Sequence, residues 1–151
     1  MSAGSCTADI RQVRRYHATL IVVSAVVINW NGQDYLSECL DALLAQDPPP
    51  QEIIVVDNHS DDASRSVVVE QYPQLKLIDT GFNGGPCHAR NVGARAAKFE
   101  RILFIDNDVV LRPGGLAALE ASMDGDDSVA MVQARSVCGD DQNIVHYDGG
   151  E

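Results

Sequence analysis

The chain has 151 residues and a formal net charge of -11. That length suits one domain with a core of its own. The acidic balance excludes an electrostatic nucleic-acid binder, which needs a basic patch or stripe.

Residues 1–19 are polar and without an apolar period, and read as an N-terminal tail. Leu20 to Asn29 is rich in Val and Ile, which predicts a strand. The run is too short to cross a bilayer. Arg11, Arg14 and Arg15 precede it as in a signal peptide, but Asn29, Trp30 and Asn31 stand where small residues would mark cleavage. "WNGQDYLSECLDALLAQ" changes period: Tyr35, Leu36, Leu40, Leu43 and Leu44 form one helical stripe, which "DPPP" ends. "EIIVVDN" predicts a second buried strand, and "SDDASRSVVVEQY" a helix whose acidic first turn suits its dipole. "LKLIDT" predicts a third strand, "GFNGGP" a loop, "CHARNVGARAAKF" a third helix and "RILFID" a fourth strand. A helix is expected within "RPGGLAALEASM" and a further strand within "SVAMVQARSV".

Alternating strands and helices predict an α/β domain with a mainly parallel sheet. In such sheets ligands sit at the carboxyl ends of the strands. Here those ends carry Asn29, Trp30 and Asn31; Asp57, Asn58, His59, Ser60 and Asp61; Asp79, leading to Asn83, Gly84 and Gly85; and Asp106, Asn107 and Asp108. Four polar ends on one sheet edge predict a binding cleft. Within "LFIDNDVVL", Asp106 and Asp108 lie two residues apart after a buried strand, in reach of a small hard cation such as Mg2+ or Mn2+. The plain alternative is that Asp108 only turns the chain. His59 and His88 read as solvated or structural, Trp30 as a base-stacking or a core residue, and Cys87 as a small filler. Cys6, Cys39, Cys87 and Cys138 lack CxxC or Cys/His spacing and read as free thiols of a reducing cytoplasm.

Four blocks in order, "VSAVVINWNG", "EIIVVDNHSDD", "NGGPCHARNVGARAA" and "ILFIDNDVVL", resemble the donor-binding half of a family 2 glycosyltransferase. The resemblance implies a three-layer αβα nucleotide-diphospho-sugar transferase (GT-A) fold over residues 20–151. It implies transfer of a sugar from a nucleotide-diphosphate donor to a hydroxyl with inversion, assisted by Mn2+ or Mg2+. Asn29 and Trp30 would flank the nucleoside, and Asp57 and Asn58 would contact the base. Asn58 stands where the strand-two motif, often VDDxSxD, has a second aspartate. Gly84, Gly85 and Arg90 would border the diphosphate or sugar. Asp106 would meet the ribose or sugar side and Asp108 the metal. The acceptor, a glycan or a lipid-linked glycan of the cell envelope, is not named by these motifs. A cytoplasmic location, peripheral contact with the inner face of the membrane, and self-association are all compatible with them.

Two other readings have motifs behind them. "ILFIDNDVVL" also resembles the first motif of haloacid dehalogenase-type hydrolases, with Asp106 as nucleophile and Asp108 as acid/base. That motif normally opens its fold and is followed by a lysine, whereas here it comes late and no lysine follows Lys98. The second is a nucleotide-sugar binding fragment or half of a split enzyme. In family 2 the catalytic base comes well after the DxD strand, and neither Asp148 nor Glu151 in "HYDGGE" matches it. The domain is therefore expected to be incomplete at its C-terminus, the catalytic residue is unassigned, and transfer by this chain alone is expected to be poor.

Overall fold

The computed structural model describes residues 22–124, 128–137 and 145–147. The tail at 1–19, Leu20 and Ile21 of the first predicted strand, Cys6, Cys138, Asp148 and Glu151 lie outside them. Four parallel strands form the main sheet: β1 (Val23–Asn29), β2 (Glu52–Asp57), β3 (Lys76–Asp79) and β4 (Arg101–Asp106). Their order is β3-β2-β1-β4. The connections carry α1 (Leu36–Leu44), α2 (Ser64–Gln71) and α3 (Gly85–Ala96), and α4 (Gly115–Met123) follows β4. A two-stranded antiparallel pair, β5 (Ser136–Val137) and β6 (Val145–Tyr147), follows α4. No described helix is long and apolar enough to cross a membrane.

The pleat sorts the core into two layers. Ala25, Val27, Ile53, Val55 and Ile105 pack on Leu36, Cys39, Leu40 and Leu43 of α1 and Val68 of α2. The alternate residues Val26, Ile28, Ile54 and Val56 pack on Ala89 of α3, with Val92 and Ala96 beside it. Helices thus cover both faces, which is why β1 and β2 read as unbroken apolar runs. Gly93 lets α3 lie against the sheet, since a Cβ there would overlap Val26.

Three details depart from the sequence reading. The buried stripe of α1 is Leu36, Cys39, Leu40 and Leu43, while Tyr35 and Leu44 are exposed. α2 begins at Ser64 with no acid in its first turn. Asp61 and Asp62 precede it: one Asp62 oxygen accepts from the Ser64 N–H at 2.9 Å at the helix start, and the other accepts from the backbone N–H of Gln33 at 2.9 Å. Of "SVAMVQARSV" only Ser136 and Val137 are strand.

The amino ends of the strands are locked together. One Glu52 carboxylate oxygen accepts from the Ser24 hydroxyl at 2.8 Å and the Lys98 N–H at 2.9 Å. The other, with no hydrogen bond of its own, lies 3.5 Å from the Lys98 ammonium. The Phe99 N–H donates to Ser24 Oγ at 3.3 Å. Burial pushes the Glu52 carboxyl up, but the hydrogen bonds from Lys98 and Ser24 and the Lys98 charge outweigh it, so the group sits below its ordinary range. A depressed acid contributes stability above its unfolded pKa of about 4.3 and loses it as pH falls through the lower folded value. Glu52→Gln should therefore cost on the order of 1 kcal/mol at pH 7 and nothing once the pH is below the folded value. Urea denaturation at both pH values checks this, and an equal cost at both would contradict the lock.

Candidate functional site

Parallel pairing brings the four strand ends to one edge. Asn29 pairs with Asp57 and Asp57 with Asp79, while Ile28 pairs with Asp106. A cleft of about 380 Å³ opens there, lined by Trp30, Asn58, Asn83, Asp106, Asn107 and Asp108 among others.

Beneath the cleft is a buried polar network. Asp57 is fully buried. One of its oxygens accepts from the Asn29 amide at 2.7 Å and the Ser60 hydroxyl at 2.6 Å. The other accepts from the Ser60 N–H at 2.9 Å and lies 3.7 Å from Arg65 Nε. Asn29 is 1% exposed and accepts from the Asn107 amide at 2.8 Å. The loop after β1 is tied to the loop after β2 by further bonds: Asn31 N–H to Ser60 Oγ, Asp61 N–H to Asn31 Oδ1, Gly32 N–H to Ser64 Oγ, and Ala63 N–H to Gln33 Oε1. Asn31 and His59 both take left-handed backbone, at φ 51° and 61°. Asn and His are among the residues that enter that region more readily than most.

The predicted residues divide into an inner and an outer set. Asn29 and Asp57 are inner: both are buried, and neither is among the residues lining the cleft. Asn58 lines the cleft but is 3% exposed, donating to Asn83 Oδ1 at 2.7 Å and accepting from the Gly84 N–H at 3.2 Å. Trp30 is outer, 55% exposed, which removes the core-packing reading. Asp106 and Asp108 are both exposed on the cleft. Arg90 of α3 pairs with Asp106 at 2.7 Å, as a surface ion pair on the cleft rim. Gly85 takes φ 80°, left-handed backbone that opens α3 behind the glycine loop. His59 lies 3.7 Å from Asp79, and His88 stacks on Phe82. Arg65 bridges Asp57 and Asp79, contacting the latter at 2.5 Å. The Gly81 N–H, Arg65 and His59 hold the Asp79 carboxyl below its usual range.

Among the described residues no group of three or more His, Cys, Asp or Glu is gathered to hold a metal by itself. The donor set still fits a Mg2+- or Mn2+-type ion. Asp108 offers an exposed carboxylate that makes no hydrogen bond or ion pair with another described residue. Such ions are commonly held by one or two carboxylates with water and substrate phosphate completing the shell. Beneath the turn, burial, then the Asp108 and Asp106 charges, push the Cys39 thiol up to about 12.

Sequence reasoning placed Ser60 and Asn107 at the strand ends without giving them a role, and missed Gly32 and Gln46. Gln46 donates to the carbonyls of Leu111 and Arg112 and accepts from the Leu116 N–H, tying α1 to the segment after β4. Ser60 and Asn107 carry a local signal, since each neighbours a singled-out aspartate. Gly32 and Gln46 act through partners distant in sequence. If Asp57 organises this edge, Asp57→Ala should cost about 1–3 kcal/mol, because Asn29 and Ser60 are left with unpaired buried donors. Urea denaturation measures it, and an unchanged midpoint and slope would contradict the role.

The model of Glycosyl transferase family 2 matches residues 24–149. The poly(ribitol-phosphate) beta-glucosyltransferase of Bacillus spizizenii is 39% identical over 92 residues, covering 57% of this chain and 14% of that protein. The crystal structure of S. aureus TarS 1-349 in complex with UDP-GlcNAc superposes with a TM-score of 0.62 at 34% identity, covering 69% of this chain and 31% of that one. The Pyrobaculum calidifontis mannosyltransferase PcManGT, in complex with GDP-Man and Mn2+, gives a TM-score of 0.64 at 30% identity, covering 71% and 33%. This chain thus spans a third or less of the length of each of these three proteins. Nothing in these likenesses supports the dehalogenase-type reading of Asp106. The sequence blocks, the parallel sheet and the matched span agree, and the chain belongs to glycosyl transferase family 2 with the GT-A fold.

Proposed function

We propose that the cleft binds a nucleotide-diphosphate sugar and that the chain serves its transfer to an acceptor hydroxyl with inversion, with a divalent cation at Asp108. The observation that carries this reading is the exposure of Asp106 and Asp108 on a cleft that Trp30 and Asn58 also line. The support from relatives is that TarS is crystallised with UDP-GlcNAc and PcManGT with GDP-Man and Mn2+.

The residues divide the work by chemistry. The exposed indole of Trp30 offers a flat apolar face to a base. Asn58, held by Asn83 and Gly84, forms the floor on that side, and Asp57 and Asn29 act through it by fixing the loops. Gly84 and Gly85 carry no side chain and let a diphosphate approach the backbone at the start of α3. Arg90 uses one nitrogen on Asp106, which leaves other guanidinium donors for phosphate or sugar oxygens. Asp106 faces the ribose or sugar side. A divalent cation held by Asp108 would offset the negative charge that develops on the leaving diphosphate. The acceptor is a glycan or lipid-linked hydroxyl; the Bacillus spizizenii relative is named for poly(ribitol-phosphate). Free thiols at Cys39 and Cys87 fit a reducing compartment such as the cytoplasm.

Calorimetry with UDP and with GDP, each in Mn2+ and in chelator, tests the site. The wild-type chain should bind one of the two nucleotides more tightly in Mn2+. In Asp108→Ala that gain should collapse to the affinity measured in chelator. Equal gains in both proteins would remove Asp108 from the metal site, and no binding of either nucleotide would remove the donor-site reading.

A further inference from the structure

The geometry points to Asn107, the residue between the two exposed aspartates, as a positioning residue: its side chain is a strut that holds Asp106 and Asp108 on the cleft side by bonding to Asn29. The strut is a property of the ligand-free protein. Its consequence for the ligand rests on the donor-site reading above.

The polarity of the bond follows from Asp57. A carboxylate only accepts hydrogen bonds, so Asn29 must turn its NH2 group to Asp57, at 2.7 Å, and to Ser60 Oγ, at 3.2 Å. That leaves the Asn29 carbonyl facing the turn after β4, where only a donor fits. Asn107 supplies it at 2.8 Å. The same turn is pinned through its backbone, with the Asn107 N–H on the Ile28 carbonyl at 3.1 Å and the Val109 N–H on that of Asp106 at 3.1 Å. With Asn107 drawn inward, the carboxylates on either side of it stay exposed.

Gly32 is independent support. It is buried and its backbone is not left-handed, so conformation alone does not demand glycine. A Cβ there would overlap the Asn107 amide and the Asn29 amide oxygen. The space beside the strut is what excludes a larger residue. Asn107, Asn29, Asp57, Ser60 and Asn31 form one continuous chain of bonds, so the turn carrying the carboxylates and the loops that build the nucleoside side share one buried network.

The test uses the 151-residue chain and two arms. Without ligand, amide exchange at Asn107 and Val109 should speed up about 10-fold in Asn107→Ala, as expected for one lost hydrogen bond. The destabilisation by Gly32→Ala should shrink when Asn107 is already Ala, because the added methyl then enters vacated space. Unchanged exchange, or equal cost of Gly32→Ala in both backgrounds, overturns the strut. With UDP and GDP, Asn107→Ala and Asn107→Asp should each lose about 10-fold of the Mn2+-dependent gain, the scale seen when groups that orient metal ligands are removed. The gain is read for each protein as the ratio of its affinities in Mn2+ and in chelator, so a loss common to both conditions does not count. Asn107→Asp sets an acceptor against the Asn29 carbonyl; if the added carboxylate preserves or raises the Mn2+ gain, the donating amide is not what matters and the proposal fails. A wild-type chain with no Mn2+ gain would refute the donor-site reading, while exchange and the Gly32 cycle would still decide on the strut.

Discussion

The Asp57 carboxylate, fully shielded from water, accepts hydrogen bonds from the Asn29 side chain, the Ser60 hydroxyl and the Ser60 backbone. A buried carboxylate is costly unless such donors surround it. That requirement sets what its neighbours can be. Asn29 must present its amide nitrogen, Ser60 must fold its backbone back over β2, and Arg65 sits 3.7 Å away. The loop after β1 then zips onto the loop after β2 through Asn31, Gly32 and Gln33. The cleft wall is built on that zipped pair, so the residues lining the cleft are held by buried residues behind them.

The two ends of the sheet are built to different rules. At the amino ends, Glu52, Ser24, Lys98 and Phe99 close on one another, with one Glu52 oxygen left to the Lys98 charge alone. At the carboxyl ends the inner groups Asn29, Asp57 and Ser60 are hydrogen-bonded to one another, but an outer layer of Trp30, Asp106 and Asp108 remains exposed. The register places both arrangements at opposite ends of the same strands, with helices over both faces. This separation lets the core carry stability while one edge is free to bind.

The sheet was legible because both its faces are covered. Val23 to Ile28 and Ile53 to Val56 are buried on both sides, so they appear as short continuous Val and Ile runs that only a strand of that length fits. The edge residues Asn29, Asp57 and Asp106 were legible as strand ends for the same reason. Their division of labour was not. Whether Asp57 faces the ligand or the protein depends on Asn29 and Ser60, and Asn29 lies on another strand. The acids at Asp61 and Asp62 looked like a helix first turn, but they precede α2, where Asp62 bonds both Ser64 at the helix start and Gln33, distant in sequence. Gly32 reads as an ordinary turn glycine until Asn107 is seen beside it. Local pattern reports burial and period; it does not report which buried polar group meets which.

The central claim is that a nucleotide and its cation occupy the carboxyl edge of this sheet. Paramagnetic broadening by Mn2+ in the presence of saturating nucleotide measures that location directly. The account predicts strong broadening at Asp108, Asn107 and the Trp30 indole, weaker broadening at Asn58 and Asn83, and none at Ser24, Glu52 and Phe99 on the opposite edge. Broadening centred on the Glu52 edge, or spread evenly over the acidic surface, would contradict it.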